Sequence, residues 1–580
     1  MPKSISGIFN FFKQKPLVLL AVIIFAQVCV IFYYAGKRST LHFDEIFVIG
    51  QIVANKHQMI NKWFDDGKYV PSQQIKDYFR MDKKQRFNYS YVYKESKKDE
   101  PIPPLYNFLI YTAYSLHFSF FDDFSIYPGI ILNAIFFIFT SILLYFAARF
   151  LFTQQLSLLP NLLWGFSTGA INCALCVRIY ICAAFFYTAL VYVIFSIIKN
   201  RQNNTKYFIF LSAAVYFGVL THYHFLIWIV MVLPVCLIWL AFSKRLKDLL
   251  KSAAAAAGAF ILAALSYPVV NNLLNSNEAQ FARQKIFDLS DTIKNLKLML
   301  DRYCQSFFGF NTDTAVIILI GLAVLFIVWR IDRKSKKGFS ASVCHSRGLN
   351  RESAVKSGLP SLTKTFWYDN FFGFFKEARL KVTDEKIFVL ITALSIAAVP
   401  VIIQVSKWTT IRYLWPVGSI SVIFFCCIIY YIIRKTLDFS SNAKKIVFAA
   451  FICSLAVFGA TNRVFYEFPI GDNKNLQLLR QHNELISVCT VADKRSWAFR
   501  SVIGELMTMR GSAFIYSDEL KNLKEILSGV DISKGFILFI SSKPERPDYD
   551  AIFEQLKQTG YKEHKFLFKN HYCDVYRIAP

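Results

Sequence analysis

Long apolar segments constrain this chain of 580 residues more than any other feature. Hydrophobic residues make up 55% of it, and phenylalanine alone contributes 59. A helix needs about 20 mainly apolar residues to cross the hydrocarbon core of a bilayer. Eleven segments approach or reach that requirement: 17–35, 126–148, 156–176, 179–198, 207–222, 224–242, 252–272, 313–330, 386–405, 413–433 and 446–462. The sequence therefore predicts an α-helical polytopic membrane protein with about eleven transmembrane helices.

Basic residues predict how these helices are oriented. If the aromatic stretch 104–121 does not cross the bilayer, the basic loops all fall on one side, including 331–385 with eleven Lys/Arg against six Asp/Glu. Basic loops mark the cytoplasmic side. We therefore expect 104–121 to be a helix lying along the outer surface. The N-terminus would be cytoplasmic and the C-terminus extracytoplasmic, in the cytoplasmic (inner) membrane of a cell.

The formal net charge of +27 would suggest nucleic acid as a partner of a soluble protein. Here most of the Lys and Arg residues belong to loops between apolar segments, where they orient the chain. The charge therefore favours the lipid bilayer as the partner and argues against nucleic acid.

Three regions of different character follow from this topology. Residues 1–462 form the transmembrane domain, which includes a long first outer loop, 36–125, and the basic loop 331–385. In residues 463–580, short β-like runs such as LISVCTVA and GFILFISS alternate with segments of helical spacing. This alternation predicts a small extracytoplasmic α/β domain. It has no glycine-rich phosphate loop after a strand, so no nucleotide is assigned to it.

Polar residues that could carry chemistry gather at the predicted outer ends of the apolar segments. Ionisable residues at a membrane border are costly and frequently functional. The candidates are Asp44, Glu45, Asp99, Glu100, Arg178, Tyr180, His222, His224, Lys407, Arg412 and Tyr413.

Each candidate also has a purely structural interpretation. Asp44 and Glu45 could cap the following helix, because acidic residues favour a helix N-terminus. Glu100 lies in a charged run with Lys97 and Lys98 that could be solvated surface. The arginines could extend to lipid headgroups, and the histidines could be hydrogen-bonded loop residues. Taken together, carboxylates, arginines, a lysine and histidines on one face suit a lipid-linked anion, with arginine binding phosphate and a carboxylate acting as general base.

Several motifs occur in an order that resembles a known superfamily. They are FDE after the first apolar segment, PPLYNFLIY at the end of the first loop, then RIYICAA, LTHYHFLIWI and IRYLWPV. The chain thus resembles the GT-C polytopic glycosyltransferases, in particular the branch with bacterial protein-mannosyltransferase-like enzymes and the aminoarabinose transferases of lipid A. The motifs cover 15–240 and, more loosely, 386–435.

The resemblance implies a sugar donor linked to polyprenyl phosphate and transfer on the non-cytoplasmic face. Asp44 matches the catalytic aspartate of the first loop, Glu45 the acid beside it, and Glu100 an acid before the Pro-Pro pair. This chain departs from the family pattern at Ile102, where many relatives have histidine, and in its long first loop. The remaining matches are Arg178 and Tyr180 in the RxY segment, His222 in the LTHY segment, and Arg412 in the RY segment.

These matches agree with the chemistry of glycosyl transfer. Asp44 would remove the proton of the acceptor hydroxyl, with Glu45 and Glu100 as further catalytic acids. Arg178, Tyr180, Lys407, Arg412 and Tyr413 would bind the donor phosphate. A divalent metal ion with His222 and Glu100 as ligands could share that work. The acceptor, whether protein, lipid or glycan, does not follow from the sequence.

Two other functions fit a polytopic protein of this kind. A transporter or flippase for lipid-linked glycans would carry ionisable residues near the middle of its spans and often show internal repeats, whereas the charges here gather at span ends. A non-catalytic scaffold of envelope assembly would act through the C-terminal domain alone. Substitution of Asp44 distinguishes both of these functions from that of an enzyme.

Overall fold

The structure, a computed structural model, describes residues 15–580 except for sixteen short gaps and one long one. The long gap, 315–382, contains nearly all of the predicted span 313–330 and of the basic loop 331–385. The short gaps are 39–40, 57–61, 64–68, 99–102, 201–204, 270, 272–274, 276, 286–289, 407–409, 437–439, 464, 466–473, 492–501, 542–546 and 570–572. The predicted sites Glu100 and Lys407 therefore lie outside the described residues.

Helices make up most of the described residues up to Thr461. In chain order they are α1 Pro16–Lys37, α2 Phe43–Val48, α3 Ser72–Asp77, α4 Tyr89–Lys98, α5 Leu105–Phe120, α6 Tyr127–Ala148, α7 Leu158–Gly165, α8 Thr168–Leu175, α9 Tyr180–Lys199, α10 Thr205–Val219, α11 His224–Phe242, α12 Leu246–Ser266, α13 Asn277–Lys285, α14 Ser290–Phe308, α15 Asp384–Val405, α16 Trp415–Thr436 and α17 Ser441–Thr461. A short 3₁₀ helix, Ile411–Leu414, leads into α16.

Eight of the helices in the described part of the chain are long and apolar enough to cross a membrane: α1, α6, α9, α11, α12, α15, α17, and α16 together with its 3₁₀ turn. The prediction of a helical polytopic membrane protein is thus confirmed. The predicted span 207–222 corresponds to α10, an apolar helix of 15 residues.

One predicted span, 156–176, is wrong as a continuous helix. It consists of α7 and α8, which are separated at Phe166 and Ser167. Ser167 has extended backbone dihedral angles, and its hydroxyl accepts a hydrogen bond from the backbone N–H of Ala170. A serine that caps a new helix in this way ends the previous one, because its backbone leaves the helical conformation. Hydropathy alone does not register such a break.

The central helix of the bundle is α9, which is buried over most of its length. It packs against α6, α10, α11 and α16. Side-chain contacts place several helix ends together at one end of the bundle. They are the last residues of α1, α8, α10 and α15 and the first residues of α9, α11 and α16. This end, which we call the site end, holds every predicted site residue that the structure describes.

The C-terminal region forms the expected α/β domain. Its strands are β2 Ser487–Val491, β3 Gly511–Tyr516, β4 Phe536–Ser541, β5 Glu563–Lys569 and β6 Cys573–Ala579. Its helices are α18 Lys474–Arg480, α19 Ile503–Leu506, α20 Leu523–Ile526 and α21 Tyr549–Gln558. The six-stranded sheet has the order β1-β3-β2-β4-β6-β5, in which β3, β2 and β4 are parallel.

The edge strand β1, Tyr69–Pro71, comes from the first loop and not from the C-terminal region. It pairs antiparallel with β3, with Tyr69 opposite Ala513. Trp63, just before it, stacks on Phe514 with the ring centroids 5.2 Å apart. The first loop and the C-terminal domain therefore share one sheet, a link that the sequence analysis did not anticipate.

The segment 104–121 contains α5, a helix of 16 residues. Its buried face carries Tyr106, Ile110, Tyr111 and Tyr114, each 0% exposed, and it packs against α4 and α6. Its position relative to the bilayer stays a prediction.

Candidate active site

The two acidic residues after the first helix have different environments, which the local sequence explains. In α2, the Nδ1 atom of His42 accepts a hydrogen bond from the backbone N–H of Asp44 at 3.1 Å. The carboxylate of Glu45 accepts one from the backbone N–H of His42 at 2.6 Å. This reciprocal arrangement is a capping box, in which the residue before the helix and the third helical residue satisfy each other's backbone groups. Glu45 is thereby turned back towards the chain.

Glu45 is completely buried and fully engaged. Its carboxylate pairs with the guanidinium group of Arg38, with one N–O distance of 2.9 Å, and accepts the backbone N–H of Val177 at 2.7 Å. Arg38 also donates to the carbonyl oxygen of Leu175 at 2.9 Å. These contacts join the end of α1, the start of α2 and the segment between α8 and α9. Glu45 thus holds three parts of the site end together.

Asp44 faces the opposite way, towards the last part of the bundle. Its Oδ2 atom lies 2.9 Å from Nη2 of Arg412, and its side chain is 15% exposed. Burial raises the pKa of this carboxyl group, but its neighbours, above all the positive charges of Arg412 and Arg178, outweigh burial and lower the pKa to about 2. Asp44 is therefore a charged, partly accessible carboxylate at neutral pH.

Arg412 is the centre of a small polar network. Its Nη1 atom lies 3.0 Å from Nε2 of His42, while Nη2 contacts Asp44. The hydroxyl of Thr410 caps the 3₁₀ turn that presents Arg412, and the guanidinium group lies 5.8 Å from the centre of the Tyr413 ring. A planar guanidinium group can contact several oxygen atoms at once, which suits it to phosphate.

An aromatic wall borders this network. Tyr413 lies 6.3 Å from Tyr180, 6.2 Å from His222 and 5.3 Å from His224, measured between ring centroids. The rings of the two histidines are 4.6 Å apart, and His224 Nε2 lies 3.3 Å from the hydroxyl of Ser406 at the end of α15. These side chains come from four separate parts of the chain and meet at one place.

Arg178 completes the positive side of the site. It is 7% exposed and lies in the segment between α8 and α9. Its charge lowers the pKa of Asp44. Burial, His224 and Arg178 together hold the pKa of His222 well below its usual range, so this imidazole is neutral. Among the described residues, the site is thus positively charged around one accessible carboxylate, that of Asp44.

The structure brings together seven of the sequence-derived candidates: Asp44, Arg178, Tyr180, His222, His224, Arg412 and Tyr413. It separates Glu45 from them.

In the part of the chain that the structure describes, no three His, Cys, Asp or Glu side chains form a group that could hold a metal ion. Asp44 is already neutralised by Arg412. With Glu100 outside the described residues, a metal bound by His222 and Glu100 stays a prediction, and no step is built on it.

Two residues of the site were not singled out from the sequence. His42 contacts both Asp44 and Arg412, and Arg38 neutralises Glu45. The spacing of His42 and Glu45 was an available signal, because a polar residue three positions before a glutamate at a helix start is typical of a capping box. Arg38 sits directly after the first span, where a basic residue is ordinarily assigned to the membrane border.

The comparison that bears on this geometry is a family match. Residues 101–271, which include Arg178, Tyr180 and His222, match the sequence profile described as dolichyl-phosphate-mannose-protein mannosyltransferase. The chain resembles that family of glycosyltransferases. The matched region contains α5 to α12 and thus one side of the site, whereas Asp44 and Arg412 lie outside it. No curated protein sequence matches the chain.

Solved structures of similar overall arrangement are distant. The oligosaccharyltransferase of Archaeoglobus fulgidus in its apo form is 12% identical. The match covers 98% of this chain and 74% of that one, with a TM-score of 0.45. ArnT from Cupriavidus metallidurans bound to undecaprenyl phosphate is 11% identical over 97% of both chains, with a TM-score of 0.38.

Proposed function

We propose that this protein is a membrane glycosyltransferase that transfers a sugar from a polyprenyl-phosphate donor to an acceptor hydroxyl, with Asp44 as the general base. One observation carries the proposal. A partly exposed carboxylate lies 2.9 Å from an arginine, beside a second arginine and a neutral histidine, at the ends of apolar helices. The matching family is named for a dolichyl-phosphate sugar, which supports a lipid-linked donor.

The positive groups suit the phosphate of the donor. Arg412 and Arg178 both act on Asp44 in the free protein. A donor phosphate is a stronger multidentate acceptor than a single carboxylate, so it would compete with Asp44 for Arg412. Tyr180 and Tyr413 would contribute hydroxyl groups beside it, and Lys407 is a further candidate from the sequence. Donor binding would thus be coupled to the release of the carboxylate.

This coupling explains how Asp44 could act as a general base despite its low pKa. A carboxylate with a pKa of about 2 is a weak base, and efficient general bases have a pKa near the working pH. Once the donor phosphate engages Arg412, the carboxylate loses its closest positive partner and its pKa rises. The base would therefore become effective only when the donor is in place.

The reaction itself is a single displacement at the anomeric carbon. The acceptor hydroxyl attacks this carbon and forms the new C–O bond as its proton passes to the Asp44 carboxylate. The bond from the anomeric carbon to the phosphate oxygen breaks, and the electron pair leaves on the polyprenyl phosphate, where Arg412 and Arg178 stabilise the charge. An in-line displacement of this kind inverts the configuration at the anomeric carbon.

Glu45 takes a different role in this proposal from the catalytic one predicted from the sequence. Its oxygen atoms are occupied by Arg38, Val177 and the backbone of His42. We therefore propose that Glu45 positions the helix that carries Asp44. His42 would orient Arg412 in the same way, because its Nε2 atom lies 3.0 Å from Nη1 of Arg412.

The site end would face the extracytoplasmic side of the cell membrane, since the basic loops lie at the opposite side of the predicted topology. Labelling of single cysteines in intact cells tests this orientation. A membrane-impermeant reagent should label a cysteine introduced in the C-terminal domain and leave Cys344 unlabelled. Labelling of Cys344 from outside would contradict the orientation.

The activity is tested with the purified full-length protein in lipid nanodiscs. It is incubated with a panel of polyprenyl-phosphate sugars, and release of polyprenyl phosphate is measured with and without acceptor candidates. Release that depends on the protein and on Asp44 supports the proposal. A protein that binds none of the donors and releases no polyprenyl phosphate would contradict it.

A further inference from the structure

The C-terminal domain has a cavity at the carboxyl ends of its parallel strands, on an element that the proposed transfer reaction does not use. The cavity measures about 170 Å³. It lies where β2, β3 and β4 end and where α21 begins.

The position is the one at which α/β sheets bind ligands. The chain runs from β2 to its neighbour β3 on one side and then to β4 on the other side of β2. The strand order therefore reverses at β2, and in open α/β sheets the crevice outside the carboxyl end of such a strand is the usual ligand site. Thr490 and Val491, the last residues of β2, line the cavity.

An unsatisfied polar side chain points to a ligand at this place. Thr490 is 0% exposed, it lines the cavity, and its Oγ1 atom has no hydrogen-bond partner within the described part of the chain. The side-chain oxygen of Gln555 on α21, which also lines the cavity, is likewise buried without a partner there. Buried polar groups are nearly always hydrogen-bonded, so two orphaned groups facing one cavity call for an explanation.

The side chains that line the cavity indicate which chemical class of ligand it could bind. Around Thr490 and Gln555 are the hydroxyls of Ser517 and Ser541 and the carboxylates of Asp518 and Asp548, while the lining has no lysine or arginine among the described residues. Carboxylates accept hydrogen bonds, and hydroxyls and the amide both donate and accept. This combination disfavours phosphates and suits a neutral ligand with many hydroxyl groups.

The rest of the wall is apolar. Val491, Ile540 and Ile552 line it alongside the polar groups. A sugar ring has the matching character, since its hydroxyl groups lie around the rim and its C–H groups form apolar faces. Small-molecule sites have this mixture of an apolar surface with a few placed polar groups.

We propose that this cavity binds a neutral carbohydrate and serves as a docking site for the acceptor glycan. The part that names the ligand as the acceptor rests on the proposed glycosyl transfer, whereas carbohydrate binding itself does not. The C-terminal domain shares a sheet with the first loop through β1. A glycan held at the domain would therefore be tethered to the first loop, which contains Asp44.

Binding is tested on the full-length protein in nanodiscs without any donor. The probes are methyl α-mannoside, methyl β-galactoside, methyl β-arabinoside and maltotriose, followed by saturation-transfer NMR and titration. Thr490→Val removes the orphaned hydroxyl at nearly constant shape, and Asp518→Asn removes an exposed carboxylate at the rim. Asp550→Asn is the matched control, because Asp550 is exposed in the first turn of α21 and does not line the cavity.

We expect at least one glycoside to bind, and Thr490→Val to weaken this binding by about tenfold, as expected for loss of one hydrogen bond in a desolvated site. Asp518→Asn should weaken it measurably but less, because its carboxylate is exposed. Asp550→Asn should bind as the wild type does. Three results would each overturn the proposal. The first is that none of the four probes binds, and the second is that a glycoside binds but neither variant weakens its binding. The third is that ethylammonium or Ca²⁺ binds and no glycoside does. If Thr490→Val fails to fold, the binding measurement with Asp518→Asn alone tests the proposal.

The two proposals can fail separately. Asp44→Asn should bind the glycoside as tightly as the wild type, whatever happens to transfer. In the transfer assay, Asp518→Asn should raise KM for the acceptor while KM for the donor stays unchanged. Glycoside binding in a protein that transfers no sugar would leave the carbohydrate site standing and reject only its role as an acceptor site.

Discussion

The carboxylate of Asp44, just after the first helix, is paired at 2.9 Å with Arg412, just before α16. The two residues come from opposite ends of the membrane domain in sequence. Their contact is possible because α2 and the 3₁₀ turn before α16 both lie at the site end of the bundle. The pair combines a carboxylate that can accept a proton with a cation that can bind phosphate.

Arg412→Ala is expected to weaken donor binding by about 10- to 100-fold, because a hydrogen bond to a charged group contributes about 1.5–3 kcal/mol. Arg412→Lys should recover only part of this, since an ammonium group cannot contact two partners in one plane. The measurement is a titration with polyprenyl-phosphate sugar. Arg80→Ala is the control, because Arg80 is an exposed arginine whose ion pair with Asp122 is outside the site. Equal binding by Arg412→Ala and the control would contradict the phosphate role.

Acidification should destabilise the protein partly through Asp44. Its pKa of about 2 lies below the ordinary aspartate value, so its contribution to stability is fully present above about pH 5 and is lost as the pH falls towards 2. The contribution is up to about 2 kcal/mol, because each pKa unit corresponds to about 1.4 kcal/mol. Thermal unfolding at pH 6 and pH 3 should show a larger loss for the wild type than for Asp44→Asn. Equal losses would show that the ion pair does not stabilise the fold.

Glu45→Gln tests the positioning role of the buried glutamate. The substitution leaves Arg38 buried without a counter-charge, and breaking a buried ion pair in this way typically costs about 3–5 kcal/mol. We expect a strongly lowered melting temperature and poor yield, measured by heating and size-exclusion chromatography. Asp122→Asn breaks an exposed pair, so it should change stability by no more than about 1 kcal/mol. A stable Glu45→Gln protein would return Glu45 to the list of catalytic candidates.

The separation of Asp44 from Glu45 shows where sequence reasoning ends. The hydropathy pattern predicted most of the long helices of the described residues, and the topology derived from it predicted that the polar candidates lie on one face. Which of two adjacent acids faces the site depends on Arg38 and Val177, which contact Glu45 only in the folded protein. The hydropathy pattern of the sequence does not indicate which of the two acids faces the site.

The edge strand β1 was missed for a related reason. It is only three residues long, and its partner β3 lies more than 400 residues later in the chain. A strand this short has no alternating pattern to detect. The α/β alternation of the C-terminal region was predictable because each of its strands is several residues long and nearly fully buried, apart from those at the far edge.

Gly511→Ala should loosen the first loop from the C-terminal domain. A Cβ atom at Gly511 would lie 2.2 Å from the hydroxyl oxygen of Tyr69, so the Tyr69 side chain on β1 has to move. Hydrogen exchange at residues 69–71 should accelerate in the variant. Gly504→Ala is the matched control in the same domain, because a Cβ atom there meets no atom within 4 Å. Unchanged exchange in Gly511→Ala would mean that the edge strand adapts to the added methyl group.

Asp44→Asn is the most direct measurement of the central claim. The substitution keeps the size of the side chain and removes the proton acceptor. A positioned general base typically contributes about 10²–10⁴-fold to the rate. With purified protein in nanodiscs and a donor that the wild type uses, the account predicts that donor binding stays within a few-fold of wild type while sugar transfer falls at least about a hundredfold. Transfer at the wild-type rate by a folded Asp44→Asn protein would contradict the account.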